Sequence, residues 1–254
     1  MKRKNKILLL MQLLSFLTAL VGRADNSPAE VTAFVKKASD LIQDGSLQND
    51  RRKLTQATEL LKKGLVLFPD DAQLWHTLGF AYYRQLTTAS ETDARDIAKL
   101  ADEALGKAQK TGTIPESPAL RSLVLSRMMA FNPEATMSLG REASESMAKA
   151  LELGPKNPRV WLLQGIYTLY TPESYGGGLK KAMDQFTEAE RLFQTEGVVV
   201  GRPSWGAEEI YAWLGIAFKR KGEKERAAEM YKKALAIEPR FGWVRYVLMR
   251  ELKQ

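Results

Sequence analysis

The feature that most constrains the fold of this chain is a spacing of small, large and proline residues that recurs along it. Ala57, Leu61, Gly64 and Pro69 are separated by four, three and five residues. Steps of three and four residues place side chains on one face of an α-helix, and proline ends a helix because it lacks an N–H and restricts the residue before it. The same spacing is found in two further sets: Ala143, Met147, Ala150 and Pro155, and Ala227, Tyr231, Ala234 and Pro239.

A second set of landmarks lies on the helices next to these. Trp75 and Trp161 each stand six residues after a proline of the first pattern, and a glycine follows each tryptophan by four residues. Tyr211 and Gly215 repeat the aromatic–glycine step. We expect the glycines to let two helix backbones approach closely and the large aromatic residues to fill the groove beside them. Together the two patterns resemble the tetratricopeptide repeat (TPR), a 34-residue helix–turn–helix unit.

The resemblance covers most of residues 25–254 and implies an all-α, TPR-type solenoid. No segment shows the sustained alternation that predicts a strand. The breakers divide the chain into about five helix pairs and a capping helix that begins near Phe241. The predicted pairs lie near residues 29–68, 72–110, 118–154, 158–193 and 207–239, with a long connection before the last pair.

A narrower resemblance rests on the loop at residues 171–178, which reads Thr-Pro-Glu-Ser-Tyr-Gly-Gly-Gly, and on Pro203-Ser204-Trp205-Gly206. These segments look like a group of exported bacterial TPR proteins that share a TP-x-x-(F/Y)-GGG loop. That resemblance implies an exported, non-catalytic repeat protein and carries over no activity. The glycines do not fit a phosphate-binding P-loop, because Leu-Lys-Lys follows them and a helix precedes the loop. We expect a turn with positive φ angles, and Tyr175 in this loop is a candidate for an exposed aromatic contact.

The first 24 residues have the composition of a secretory signal peptide. They contain five of the basic residues of a chain whose formal net charge is +8, and no acidic residue. An apolar run at residues 7–21 follows the basic start, and small side chains at Gly22 and Ala24 flank Arg23. The run is shorter than the roughly 18–20 residues that span a membrane, so a retained anchor is the weaker alternative. We therefore predict cleavage after Ala24 and export, to the periplasm or outside the cell.

Removal of that segment changes how the charge is interpreted. Residues 25–254 would carry +3, divided between a basic end at residues 219–254 (+6) and a mildly acidic remainder (−3). A basic helical end is ordinarily a solvated surface. We therefore expect no nucleic-acid partner, and no membrane span after cleavage.

The residue inventory also argues against catalysis. The chain has no cysteine and a single histidine, His76. These counts exclude thiol chemistry, disulfides and multi-histidine metal sites. The acidic residues are scattered among basic ones at helix-surface spacing. Three pairs of them lie at or near predicted helix starts, where carboxylates favour the helix dipole: Asp70 and Asp71, Asp93 and Asp96, and Glu208 and Glu209. We expect no enzyme activity, cofactor or metal.

The remaining hypothesis is binding. TPR solenoids present a concave groove, and the candidate residues for a partner are those at groove positions together with the loop tyrosine. They are Gln73, His76, Phe80, Tyr83, Arg159, Leu162, Ile166, Tyr175, Glu209 and Lys219. His76 is expected to be half-exposed and solvated. The leading interpretation is a protein that scaffolds other proteins in the cell envelope, and the alternative is a carrier of a small apolar ligand held in the groove. Mostly aliphatic groove positions argue against recognition of a C-terminal carboxylate.

Overall fold

The computed structural model describes residues 28–196 and 205–252, and these residues contain helices and no strand. The helices are α1 (residues 28–48), α2 (Arg51–Leu67), α3 (Ala72–Leu86), α4 (Glu91–Thr111), α5 (Glu116–Met129), α6 (Thr136–Leu153), α7 (Pro158–Tyr170), α8 (Leu179–Thr195), α9 (Ala207–Arg220), α10 (Lys224–Ile237) and α11 (Met249–Glu251). Short 3₁₀ turns at Pro133–Ala135 and Glu173–Tyr175 precede α6 and α8, and a π-helical turn at Trp243–Leu248 leads into α11.

The predicted all-α fold and its five helix pairs are confirmed. Each predicted boundary lies within two residues of the observed one, from α1–α2 to α9–α10. The predicted signal peptide lies outside the described residues, as does most of the connection between α8 and α9. No helix in the described ranges is both long enough and apolar enough to cross a membrane.

Contacts near the prolines define where the first helix of a pair begins. Asp71 caps α3 by accepting a hydrogen bond of 2.8 Å from the backbone N–H of Leu74, as expected for a residue at the N-cap. The indole N–H of Trp75 donates to the carbonyl oxygen of Pro69 at 2.7 Å. Trp161 makes the equivalent bond to Pro155 at 2.9 Å. This hydrogen bond explains the six-residue spacing between proline and tryptophan, because it joins the first helix of one pair to the end of the preceding pair.

In three of the five pairs, α3–α4, α7–α8 and α9–α10, the two helices touch at a glycine of the first helix. A Cβ atom built on Gly165 would lie 2.4 Å from Cε1 of Phe186, and one on Gly215 would lie 2.2 Å from Cε1 of Tyr231. The predicted close approach is therefore confirmed. The predicted filling of the groove by the first-helix aromatics is wrong: the large side chain against each glycine comes from the second helix, and Trp161 is only half-buried.

The two ends of the described solenoid meet. One apolar core runs from Ala38 in α1 to Leu248 near the C-terminus. The guanidinium of Arg240 donates to the carboxylate of Asp44 at 3.1 Å, which joins residues 196 positions apart. The turn before α11 also lies against α1, since a Cβ on Gly242 would be 2.9 Å from the carbonyl oxygen of Leu47. The C-terminal segment therefore caps α10 and also contacts the first pair.

The glycine contacts lead to a test of helix-pair packing. We expect Gly165→Ala to lower the free energy of unfolding by about 1–3 kcal/mol, because the methyl group must displace the Phe186 ring in a close-packed core. Gly106→Ala is the matched control, since a Cβ at this position in α4 meets no atom within 4 Å. It should be neutral or raise stability by up to about 1 kcal/mol through helix propensity. Urea unfolding followed by circular dichroism measures both variants, and equal stabilities would contradict the packing role of Gly165.

Candidate functional site

The first helices of successive pairs form one continuous surface of the solenoid. Contacts link α3 to α5, α5 to α7, and α7 to α9. We call the surface formed by these four helices the inner face. It includes most of the residues that were predicted to line a groove, and six of those ten are buried: His76, Phe80, Arg159, Leu162, Ile166 and Glu209. The predicted groove is therefore largely filled by the protein's own side chains.

Trp205 fills the centre of the inner face. Its ring stacks on Phe80 of α3, with ring centroids 4.8 Å apart and planes inclined by 24°. The guanidinium carbons of Arg84 and Arg159 lie 5.5 Å and 5.8 Å from the indole. Both distances allow cation–π attraction. Trp205 is only 7% exposed, so the indole occupies the place where a groove ligand would otherwise sit.

A buried ion pair lies beside the indole and connects α3 to α9 at the inner face. Both terminal nitrogens of Arg84 donate to the two carboxylate oxygens of Glu209, which is the bidentate geometry that arginine favours. The two side chains are 13% and 10% exposed. Because the partners are 125 residues apart in α3 and α9, the pair links distant parts of the solenoid.

A second buried pair lies next to the first. Nη1 of Arg159 is 2.9 Å from both carboxylate oxygens of Glu196, which follows α8. The guanidinium carbon of Arg159 also lies 4.9 Å from the centre of the Phe193 ring. Arg159 was predicted as a groove contact for a partner. In this structure it binds residues that flank the α8–α9 connection.

The inner face also contains an acid with a strongly shifted pKa. Burial raises the pKa of Glu208 to about 7, and the neighbouring carboxylate of Glu209 adds to the shift. Backbone N–H groups of Glu208 and Gly206 and the charge of Arg84 oppose it. Burial also raises the pKa of Tyr83 to about 12. These groups stay in their neutral forms over most of the pH range below neutrality.

The prediction of a half-exposed, solvated His76 is wrong. The imidazole is 3% exposed, and its Nδ1 lies 2.9 Å from the hydroxyl of Ser117 in α5. Burial lowers its pKa, with the charge of Glu116 acting in the opposite direction. The physical reason is the packing of α5 onto α3, which covers the face of the helix that a single isolated pair would leave open.

The remaining predicted residues do not join this cluster as a single site. Tyr83 is half-buried beside the Arg84–Glu209 pair, whereas Gln73 is exposed at the start of α3. Lys219 donates to Glu251 at 2.7 Å and therefore fastens α9 to α11. A binding role for any of these residues remains a prediction.

The loop between α7 and α8 forms a separate, ordered surface. Gly176 and Gly178 have φ angles of +80° and +115°, as predicted for this turn. The backbone N–H of Gly178 donates to Thr168 at 3.0 Å, and a Cβ on Gly177 would lie 1.9 Å from the carbonyl oxygen of Thr171. Tyr175 is 75% exposed on this loop.

A second tyrosine lies exposed where the loop begins. Tyr170, the last residue of α7, is 61% exposed. The guanidinium carbon of Arg220 lies 4.7 Å from its ring centre, and Trp213 contacts its ring edge-on at 6.1 Å. These contacts hold one side of the ring and leave the other in solvent. We call Tyr170, Tyr175 and the turn between them the loop surface.

Sequence reasoning named Phe80, Arg159 and Glu209 as groove residues but missed Trp205, Arg84 and Glu208. Arg84 is the one arginine in α3, which is otherwise rich in apolar side chains, and this contrast was an available signal. Glu208 and Glu209 were assigned to the helix dipole because they occupy the first turn of α9. Their burial depends on α3 lying opposite, which no local pattern reveals. Within the described residues, no group of three or more His, Asp or Glu side chains is placed to hold a metal ion.

The raised pKa of Glu208 predicts a pH-dependent stability. A buried acid whose folded pKa exceeds its unfolded value of 4.5 stabilises the fold fully below 4.5, and this contribution is lost as the pH rises through about 7. We expect Glu208 to cost the wild type up to a few kcal/mol between pH 5 and pH 8, at about 1.4 kcal/mol for each pH unit that separates the two pKa values. This cost is measured as the difference from Glu208→Gln, because His76, whose lowered pKa acts in the opposite direction over this range, is common to both proteins. Glu208→Gln, which is uncharged throughout, should be less sensitive to pH over this range. Urea unfolding at both pH values tests this, and identical pH profiles for the two proteins would contradict it.

Comparison of the sequence with protein-family profiles and with curated proteins gives no match. Solved structures with a similar fold include the HusA haemophore from Porphyromonas gingivalis, at 23% identity and a TM-score of 0.61, covering 74% of this chain and 92% of that one. TTC0263, a TPR protein of Thermus thermophilus, matches at 17% identity and a TM-score of 0.60, covering 85% and 100%.

A chain of the APC/C hetero-tetramer Cut9–Hcn1 also matches, at 13% identity and a TM-score of 0.52, covering 91% of this chain and 40% of that one. At these identities the likeness concerns the fold. The fold agrees with the repeat pattern in the sequence: the described part of this chain is a TPR-type α-solenoid.

Proposed function

We propose that this protein is an exported, non-catalytic TPR protein that binds another protein in the cell envelope through its loop surface. The observation that carries the proposal is the exposure of Tyr170 and Tyr175 on an ordered turn. Tyrosine is enriched at the energetic centres of protein interfaces, because it buries a large area and loses little conformational freedom. The turn is already fixed by its own hydrogen bonds, so binding to it costs little ordering entropy.

The inner face is less suited to this role in the conformation described. A partner helix lying there would have to displace Trp205 and compete with the Arg84–Glu209 pair. The similar fold in the Cut9–Hcn1 assembly supports protein binding as a function class, since that structure contains two different proteins. Export remains a part of the proposal that rests on the composition of residues 1–24.

Affinity capture with an exposed-residue variant tests the proposal. Tyr175→Ser removes an aromatic ring that is 75% exposed, so it should leave the stability unchanged. We expect wild-type protein to retain a specific partner from envelope extracts and Tyr175→Ser to lose most of it, as truncation of a central interface aromatic costs about 2 kcal/mol or more. Tyr246→Ser is the matched control, because Tyr246 is 70% exposed at the C-terminal end. Equal capture by the wild type and Tyr175→Ser would refute the role of the loop surface.

A second candidate is a carrier of a small flat apolar ligand, and the slot that Trp205 fills favours it. The slot offers Phe80 for stacking and two guanidiniums, those of Arg84 and Arg159, beside the ring. A planar ring with acidic substituents would suit the same surroundings. HusA, which has a similar fold, is a haemophore, and haem is therefore a suitable first probe.

Haemin titration with a slot variant tests the second candidate. We expect Trp205→Ala to bind haemin about tenfold more tightly than the wild type, because the stacked indole no longer competes. Absorbance titration gives the affinity, and circular dichroism checks the fold. If Trp205→Ala unfolds, Trp205→Leu keeps the slot apolar and serves instead. Absence of saturable binding in the wild type and in the folded variant would exclude haem as the occupant of this slot.

A further inference from the structure

The C-terminal end of the solenoid contains a cavity that the binding surfaces above do not involve. This cavity is open to solvent on one side, has a volume of about 340 Å³, and is lined by Leu235 of α10 and by Arg245, Met249 and Arg250. This volume lies at the lower end of the range of about 300–1,000 Å³ that is typical of small-molecule sites. Two of its lining side chains are apolar and two are cationic.

The π-helical turn explains how these side chains come to share one surface. The turn covers Trp243–Leu248, and its hydrogen bonds span five residues instead of four. In such a wide turn, residues four and five positions apart lie on the same side. Arg245, Met249 and Arg250 have these separations. Single π-helical turns are rare and are often found at functional sites.

The two arginines are the chemically informative groups. Arg250 is exposed, and Arg245 donates to the backbone carbonyl of Pro239 at 2.7 Å. Within the described ranges neither guanidinium has a carboxylate within ion-pair distance. The nearby acids are engaged elsewhere: Glu251 pairs with Lys219 at 2.7 Å, and Glu238 pairs with Arg240 at 3.2 Å.

We propose that this cavity binds a dissolved amphipathic anion. The aliphatic chain would pack against Leu235 and Met249, and the anionic head group would accept hydrogen bonds from Arg245 and Arg250. Guanidinium groups suit carboxylate and phosphate oxygens because their N–H groups form a planar fork. The surrounding segment favours the same sign of ligand, since residues 219–254 carry a net charge of +6. The site is independent of the loop surface and of export.

Calorimetric titration of the full chain with sodium decanoate, below its micellar concentration, tests the proposal. We expect saturable binding of one decanoate per chain. Decyl phosphate should bind comparably, because it presents the same anionic oxygens. Decanol and decyltrimethylammonium should bind about tenfold more weakly or less, because each lacks a partner for the guanidiniums. Equal affinities for decanoate and decanol would overturn the proposal.

Variants separate the cavity from a general charge effect. The double variant Arg245→Gln and Arg250→Gln should lose about tenfold or more in decanoate affinity, because charge-assisted hydrogen bonds are replaced by neutral ones. Met249→Gln should weaken binding through the apolar contact. Arg141→Gln is the control, because this α6 arginine is also exposed, at 75%, and lies outside the cavity. Undiminished affinity in the double variant would refute the site.

A membrane contact makes a different prediction. Vesicles of phosphatidylcholine with phosphatidylglycerol offer anionic head groups fixed in a surface, whereas decanoate is free in solution. Binding to these vesicles together with no saturable binding of decanoate or decyl phosphate would overturn the proposal in favour of a peripheral membrane contact. Saturable decanoate binding that is lost in the double variant supports the cavity, whether or not Tyr175→Ser affects capture of a protein partner.

Discussion

The contact between a glycine of one helix and a large side chain of its partner is the constraint on which this structure depends. Gly79 meets Leu105, Gly165 meets Phe186, and Gly215 meets Tyr231 at distances that leave no room for a Cβ. Dispersion attraction falls steeply with separation, so this close approach strengthens the packing of these three pairs. The pairs then stack with their first helices side by side, and that stacking creates the inner face.

The inner face is filled largely by groups from the molecule itself. Trp205 stacks on Phe80, and the Arg84–Glu209 pair links α3 to α9. A buried ion pair contributes little net stability because both charges lose their water, but removal of one partner typically costs about 3–5 kcal/mol. The pair therefore links α3 to α9 while adding little net stability. This filling of the inner face also explains why residues at groove positions are buried here.

Because Trp205 occupies the centre of the inner face, the candidate binding surfaces that remain accessible lie away from it. The loop surface presents tyrosines on a turn held by glycines that adopt positive φ angles. The C-terminal cavity presents two guanidiniums beside apolar side chains, and neither forms an ion pair with a described residue. We propose a protein partner for the first surface and a small anion for the second, as two independent sites on one solenoid. The slot that Trp205 fills becomes a third binding site only if the indole moves out of it.

Periodicity and breakers in the sequence were sufficient to determine the helix pairs, because close helix packing requires small residues at fixed intervals and each pair ends at a proline or a polar turn. They also indicated the exposed Tyr175 and the positive φ angles of its loop. Local patterns could not show that α5 covers His76 or that Glu209 reaches Arg84, 125 residues away. Those contacts depend on the curvature summed over several pairs, which only the tertiary structure determines. The sequence thus determined the repeat, and the packing of helices distant in the chain determined which surfaces remain accessible to a ligand.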